Sequence, residues 1–122
     1  MRFMMLVKAA ENVPPIPELY EAVGHLAEEM AQKGILLDMG GLAASRQGAR
    51  IRLAGSRLTT TDGPFIETKE LVGGFAVMKA NSREEALELG RRFMQIHADI
   101  MAPDHVVELE IRQIVDTPNG HE

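Results

Sequence analysis

The sequence predicts an α+β fold, because strand and helix patterns follow one another in the order β-α-β, hairpin, β-α-β. Each helix pattern is amphipathic and lies between two strand patterns, and the order matches the split-βαβ, ferredoxin-like arrangement with an inserted β-hairpin. The chain of 122 residues has no internal repeat and no linker that would divide it. We therefore predict one domain over residues 1–116, followed by a polar tail over 117–122.

The first β-α-β unit is expected near the start of the chain. Residues 1–8 are apolar on both faces of the expected strand, which is typical of a central position in a sheet. Residues 18–33 carry apolar side chains at helical spacing, and Gly34 stands where a glycine commonly ends a helix. A second strand is expected over 35–39, ended by a pair of glycines.

The middle of the chain predicts a hairpin. Residues 49–54 alternate in polarity, and Gly55-Ser56 provides a tight turn into a second short strand over 57–61. The second β-α-β unit is then expected as a strand over 71–79, a helix begun by the capping box of Ser82 and Glu85, and a strand over 106–115.

Apolar residues on both faces of the sheet predict a homodimer. Two helices can cover only one face, yet the strands carry apolar side chains toward both: Met4, Leu6, Phe75, Val77, Leu109 and Ile111. An uncovered apolar sheet face marks an association surface, and a twofold axis is the simplest way to cover it. We expect two copies to pair face to face.

Composition excludes several classes of function. The chain has 13 Lys and Arg against 18 Asp and Glu, and this net charge of −5 disfavours nucleic acid as a partner. The absence of cysteine excludes disulfides, thiolate metal sites and cysteine nucleophiles, and favours a cytoplasmic location. No segment approaches the ~20 apolar residues of a membrane helix. The glycine pairs lack the spacing of nucleotide-binding loops, so we expect no cofactor.

Two arginines of the predicted hairpin are candidate ligand-binding residues. Arg50 and Arg52 share one face of their strand, where their guanidinium groups could bind a carboxylate or a phosphate. Pairing with Glu108 or Glu110 across the sheet is an alternative, and so is simple exposure to solvent.

The segment that begins at Asp62-Gly-Pro-Phe65 has a functional and a structural interpretation. Asp62 could serve as an acid, a base or a polar anchor at a cleft, with Glu67 and Lys69 at the rim of a ligand pocket. The structural alternative is a tight turn, in which Asp62 forms an Asx-turn, Gly63 adopts a positive φ and Phe65 fills the core. Glu67 and Lys69 would then belong to a solvated loop.

Histidines and aspartates are concentrated near the end of the second helix. His97, Asp99, Asp104 and His105 all carry possible metal ligands. Their spacing does not match a helical His-x-x-x-His site, and His97 falls on the apolar stripe of its helix. We therefore predict a core or interface histidine at this position and no metal site.

The run from Thr61 to Phe75, TDGPFIETKELVGGF, resembles the DGPF branch of the YCII-related proteins. Three further segments resemble it at matching separations: Gly48-Ala-Arg-Ile-Arg-Leu53, Glu84-Glu-Ala86 and Glu110-Ile-Arg112. The resemblance implies a ferredoxin-like protomer that pairs into a dimeric α/β barrel. It implies little about activity, although genes of this family often lie near those for alternative sigma factors.

The same resemblance implies a catalytic His–Asp pair. In one branch of the family, a histidine followed by leucine in the first helix pairs with an aspartate after the second helix. His25-Leu26 matches the first element and Asp99 the second, although Ile100 stands where that branch has proline. Helical spacing places His25 opposite the core stripe, so only a cleft or a partner surface would give it a role.

Three functions are consistent with these observations. The favoured one is a small-molecule-binding or sensing dimer, accessory to transcriptional regulation as the gene neighbourhoods suggest. The first alternative is a cofactor-independent enzyme for proton transfer or hydrolysis, with His25 as general acid and base and Asp99 orienting it. The second alternative is a structural protein-interaction dimer.

Overall fold

The computed structural model describes residues 1–11, 13–68 and 70–115. Its elements are β1 (Arg2–Ala9), α1 (Pro17–Gln32), β2 (Leu36–Gly41), β3 (Ala49–Ala54), β4 (Arg57–Asp62), β5 (Leu71–Lys79), α2 (Arg83–Ile100) and β6 (Val107–Ile114). A single 3₁₀ turn over Ser45–Gln47 precedes β3. The predicted order of elements is confirmed. Strand β2 differs most from expectation, because it continues through both glycines that were expected to end it.

The main sheet has four antiparallel strands in the order β2-β5-β1-β6. Strand β5 lies between β1 and β2, so the first β-α-β unit is split as the sequence predicts. Strands β3 and β4 form a separate two-stranded sheet, the inserted hairpin. No helix of the described residues is long and apolar enough to cross a membrane.

The core lies between the sheet and its two helices. Phe3 and Met5 alternate with less buried neighbours along β1, and they pack in clusters that include Met30 of α1 and Ala86 of α2. Gly90 lets α2 approach β6 closely, because a Cβ atom there would lie 2.6 Å from the Cδ1 atom of Ile111. Apolar spacing in the sequence therefore identified the buried faces of both helices.

The helix ends follow the predicted signals. Gly34 has a φ of 71° just beyond α1, in the left-handed region that favours glycine. The Ser82 hydroxyl accepts a hydrogen bond from the backbone N–H of Glu85 at 3.1 Å, which caps α2. The Glu85 carboxylate accepts from the Asn81 amide at 3.4 Å instead of completing the reciprocal half of the capping box.

The sheet face opposite the helices is apolar at its centre. The strand register places Met4 beside Val77 and Leu6 beside Phe75 on this face, and all four side chains are half-buried. Lys8 lies at its border, ion-paired with Glu110 and 3.9 Å from Glu108. The expected pairing of this face with a second copy stays a prediction.

Candidate ligand-binding cleft

A cleft of about 900 Å³ opens at the end of the sheet where β1 and β2 finish. Its walls are the first half of α1, the second half of α2, and the adjoining ends of the sheet strands with their loops. Most of the side chains that line it are apolar, among them Leu19, Val23 and Phe93. The volume falls within the range of small-molecule sites, which are typically apolar with a few polar groups.

The polar side chains described in the cleft come from both helices and from three of the connecting segments around it. They are Glu11, Tyr20, Glu70, His97, Asp104 and His105. Asp104 and His105 are presented by a turn after α2, closed by a 3.1 Å hydrogen bond from the backbone N–H of His105 to the carbonyl of Ala102. Each of these residues except His97 is at least partly exposed, so His97 is the buried polar group of the site.

The ring of His97 lines the cleft and is oriented by a hydrogen bond within its own helix. Its Nδ1 atom lies 3.0 Å from the carbonyl oxygen of Phe93, one helical turn earlier, and a carbonyl can only accept, so Nδ1 carries the proton. In this tautomer the lone pair of the ring is on Nε2. Within the described part of the chain, no side-chain nitrogen or oxygen is both buried and unpartnered. Because Nε2 has no hydrogen-bond partner there, it keeps some exposure to solvent, and the side chain that carries it lines the cleft.

The prediction that His97 lies on the buried stripe of its helix is confirmed: its side chain is only 9% exposed. Its ring also packs against that of Phe93, with centroids 4.5 Å apart. The sequence interpretation missed that the same residue borders a cleft. The four-residue spacing from Phe93 signals only that the two side chains stack on one helix face, because no local pattern signals the cleft.

The histidine and aspartate cluster does not form a metal centre in the described residues. No group of three or more His, Asp or Glu side chains there is arranged to hold an ion. His97, Asp104 and His105 line the cleft, whereas Asp99 does not. Asp99 is exposed and accepts a hydrogen bond from the Gln95 amide at 2.8 Å.

No hydrogen bond or ion pair brings His25 and Asp99 together. His25 is exposed on α1 and lies outside the cleft, as does Asp99. Among the hydrogen bonds and ion pairs of the described residues, none joins the two. The helix that carries His25 is instead tied to α2 by Glu29, whose carboxylate accepts from Arg92 at 3.0 Å and 3.3 Å. A catalytic role for His25 and Asp99 stays a prediction.

Arg50 ties the hairpin to the loop that follows it. Its guanidinium group lies over the ring of Phe65, 3.8 Å from the centroid, in a cation–π contact. It is also ion-paired with Glu67 and donates to the Thr68 hydroxyl at 3.2 Å. The backbone amide of Glu67 itself, and then Arg50, lower the pKa of the Glu67 carboxyl. The alternative in which the arginines pair with Glu108 or Glu110 is not found, because the hairpin is separate from that sheet.

The turn after β4 differs from its predicted geometry. The expected positive φ at Gly63 is wrong, since the described glycines with positive φ are Gly34 and Gly55. Glycine is required there by close packing, because a Cβ atom would lie 1.7 Å from the carbonyl oxygen of Ser45. The Gly63–Pro64 peptide bond is cis. Phe65 is half-buried beneath Arg50 instead of filling the core.

The remaining predicted ligand-binding residues have fewer contacts. Arg52 and Asp62 are exposed on the hairpin, and no hydrogen bond of either side chain occurs among the described residues. The Asx-turn expected at Asp62 is therefore not seen. Lys69 lies outside the described residues, as does the polar tail over 117–122.

Glu11 connects the cleft to residues 62–65, which we call the DGPF segment. Its carboxylate accepts from the backbone N–H of Ser45 at 2.5 Å and from the Ser45 hydroxyl at 2.6 Å. These two bonds lower the pKa of the Glu11 carboxyl. The Ser45 hydroxyl in turn accepts from the backbone N–H of Phe65 at 3.3 Å. No local pattern signals this contact, because it joins residues 34 positions apart.

Comparison with known proteins gives a family match and leaves the function open. The model of the YCII-related domain matches residues 1–110 of the chain. No curated protein matches it.

Proposed function

Because this chain belongs to the YCII-related family, we propose that it is a small-molecule-binding or sensing protein that acts as a homodimer and binds its ligand in the cleft beside His97. The observation that carries the proposal is the cleft itself. It combines about 900 Å³ of largely apolar space with one buried polar group, the His97 ring. Sites of this kind hold a ligand through apolar contact and orient it through a few polar groups. A role accessory to transcriptional regulation stays a prediction from the family resemblance.

Arg50 and Glu67 support this proposal because they hold the loop next to the cleft wall. They bind each other, so their charges are engaged within the loop and not directed at a ligand. The loop they hold donates a hydrogen bond to Ser45, and Ser45 binds Glu11 of the cleft wall. In this proposal the DGPF segment shapes the wall of the cleft, while the ligand lies against other residues.

The homodimer rests on two unpartnered apolar surfaces. One is the sheet face that carries Met4, Leu6, Phe75 and Val77. The other is the hairpin, every strand residue of which is exposed, including Leu58 at 71%. A two-stranded hairpin is marginally stable alone in water, so a second copy that packs on these surfaces would stabilise it. Face-to-face pairing would produce the dimeric barrel that the family resemblance implies.

The ligand proposal is tested by a thermal-shift screen of the full chain against a metabolite library, repeated with a chelator. A specific ligand at a hundred times its Kd adds about 2.7 kcal/mol, which raises the Tm of a domain of this size by several degrees. We expect His97→Phe to abolish the shift and the matched change His25→Phe to leave it intact. A shift lost only in His25→Phe would contradict the placement of the site.

The dimer is tested by sedimentation equilibrium. We expect a dimer for the native chain and a folded monomer for Val77→Glu, because a charge at the centre of the open sheet face would have to be buried without a partner. Glu108→Gln, at the border of that face, is the matched control and should remain dimeric. A monomeric native chain at micromolar concentration would contradict the proposal.

A cofactor-independent proton-transfer enzyme is the second candidate, and one observation favours it. The bond from Nδ1 to Phe93 fixes the ring of His97 in the tautomer whose Nε2 can accept a proton from a bound molecule. Incubating each ligand from the screen with the protein in D₂O, and following loss of C–H signals by NMR, tests for this activity. Exchange that needs His97 supports it, whereas exchange that needs His25 and Asp99 supports the family-derived pair.

A further inference from the structure

We infer that the cleft binds an amphipathic molecule, which has an unbranched apolar chain and a hydroxyl or amine head group, in preference to a carboxylate or phosphate. The inference rests on the proposed ligand-binding function and specifies the chemical class of the ligand. It follows from a second cavity beside the cleft and from the hydrogen-bonding character of the polar groups around His97.

The second cavity is small and entirely apolar in its side chains. It has a volume of about 60 Å³, lies between the helices and the sheet, and is open at its edge instead of enclosed. The methionines that line it are Met5, Met30, Met39 and Met78. Methionine side chains are flexible and adapt to the shape of what they contact. Since ~10–15 Å³ of such space is enough for one water, this cavity has room for about four methylene groups.

The cavity adjoins the cleft. Four residues line both spaces: Val7, Val23, Met39 and Phe93. Phe93 is also the residue whose carbonyl fixes the His97 ring one turn further along α2. A molecule with its apolar chain in the methionine-lined cavity would therefore extend along Phe93 and bring its head group to the Nε2 atom of His97.

The polar side chains that line the cleft are mainly hydrogen-bond acceptors. Nε2 of His97 offers a lone pair and Asp104 contributes a carboxylate, whereas the charge of Glu70 is partly balanced by Lys8. The Glu11 carboxylate already accepts two bonds from Ser45 and adds further negative charge. A hydroxyl or an amine supplies the donors that these groups lack. A carboxylate or a phosphate head would instead face acceptors and like charge.

Tyr20 and His105, the other polar side chains described in the cleft, can donate as well as accept. They therefore tolerate either kind of head group and do not reverse the preference. The discrimination comes from His97 and Asp104, of which His97 is the one removed from solvent competition.

A matched series of eight-carbon probes tests the inference on the full chain. Octylammonium, 1-octanol and octanoate share a chain and differ in head group, and isothermal titration calorimetry below their aggregation limits compares their Kd values. We expect octylammonium and 1-octanol to bind at least tenfold more tightly than octanoate. Replacing 1-octanol by 1-butanol should weaken binding further, because the shorter chain no longer fills the methionine-lined cavity.

Variants then identify the groups responsible. His97→Phe should reduce the affinity for 1-octanol about tenfold, and His25→Phe should leave it unchanged. Asp104→Asn, at an exposed position, should reduce the advantage of octylammonium over octanoate. This second variant keeps the inference testable if His97→Phe fails to fold.

The possible failures are distinct. Octanoate binding as tightly as octylammonium would overturn the inferred head-group class and leave the ligand-binding function in place. The same conclusion would follow if the metabolite screen yielded ligands while none of the eight-carbon probes bound. If neither the probes nor the metabolite library binds, the proposed function fails as well.

Discussion

The helix-covered sheet and the hairpin differ in how much of their apolar surface this chain covers. In the sheet, alternate residues of β1 are buried, with Phe3 and Met5 at 3% and 4% exposure. In the hairpin, polarity alternates along β3, yet Ile51 remains 73% exposed, and Leu58 of β4 remains 71% exposed. The sequence patterns thus predict a strand in both regions, but they do not reveal what packs against that strand.

The two regions also differ in the interactions that stabilise them. The sheet is stabilised by burial of apolar side chains beneath two helices. The hairpin is held at its base by polar and close backbone contacts that involve Ser45, Gly63 and Arg50. Substitutions in the two regions should therefore change stability by different amounts and through different mechanisms.

The largest contrast is expected between two apolar truncations. Met30→Ala removes a side chain that is 3% exposed and leaves a cavity in the core, so we expect a loss of about 2–5 kcal/mol in the free energy of unfolding. Leu58→Ala, in the hairpin, should change it by less than about 0.5 kcal/mol at protein concentrations where the chain is monomeric. Urea denaturation measures both. Equal losses would show that the hairpin is covered within the monomer.

A somewhat smaller effect is expected at Gly63. Alanine there would place its Cβ atom against the carbonyl of Ser45, and because both groups are backbone the segment must shift. We expect Gly63→Ala to cost about 1–3 kcal/mol and to increase hydrogen exchange in β3 and β4. Gly41→Ala is the control, since nothing lies within 4 Å of its added Cβ atom. Unchanged exchange in the hairpin would contradict this account of its base.

Sequence patterns predicted contacts that are local and missed those that join distant segments. The Ser82 cap, the Gly34 helix end and the Gly55-Ser56 turn each depend on residues a few positions apart, and all three are observed. The Glu11–Ser45 contact has no such signature, nor does the approach of Gly63 to Ser45. His97 was assigned to the buried stripe from its spacing, but its position beside a cleft depends on how the sheet strands, both helices and four connecting segments come together.

Replacing Arg50 should have a moderate effect. Arg50→Ala removes the stacking on Phe65 and the bonds to Glu67 and Thr68, all at an exposed site, so we expect a loss of about 1 kcal/mol. Arg52→Ala removes the same charge from the same strand face and should have almost no effect. Urea denaturation gives both values. If the arginines instead bind a ligand as a pair, the two variants would have equal stability and would both lose binding.

The smallest effect is expected from protonation of Glu11. Its hydrogen bonds from Ser45 lower its pKa below the ordinary value of 4.5, so the folded protein binds this proton more weakly than the unfolded chain does. The resulting stabilisation is present above about pH 4.5 and is lost as the pH falls through the lowered pKa of the folded state. Glu11→Gln should therefore be less stable than the native chain at pH 7, and this difference should narrow below pH 4.

Glu28→Gln, at an exposed position on α1, is the control for this change of charge and should show no such convergence. Carboxyl-carbon NMR titration of Glu11 provides the second measurement. A Glu11 pKa at or above 4.5 would mean that the carboxylate does not hold Ser45 in solution. In that case the hairpin would be anchored only through Gly63 and Arg50, and the wall of the cleft would move independently of the DGPF segment.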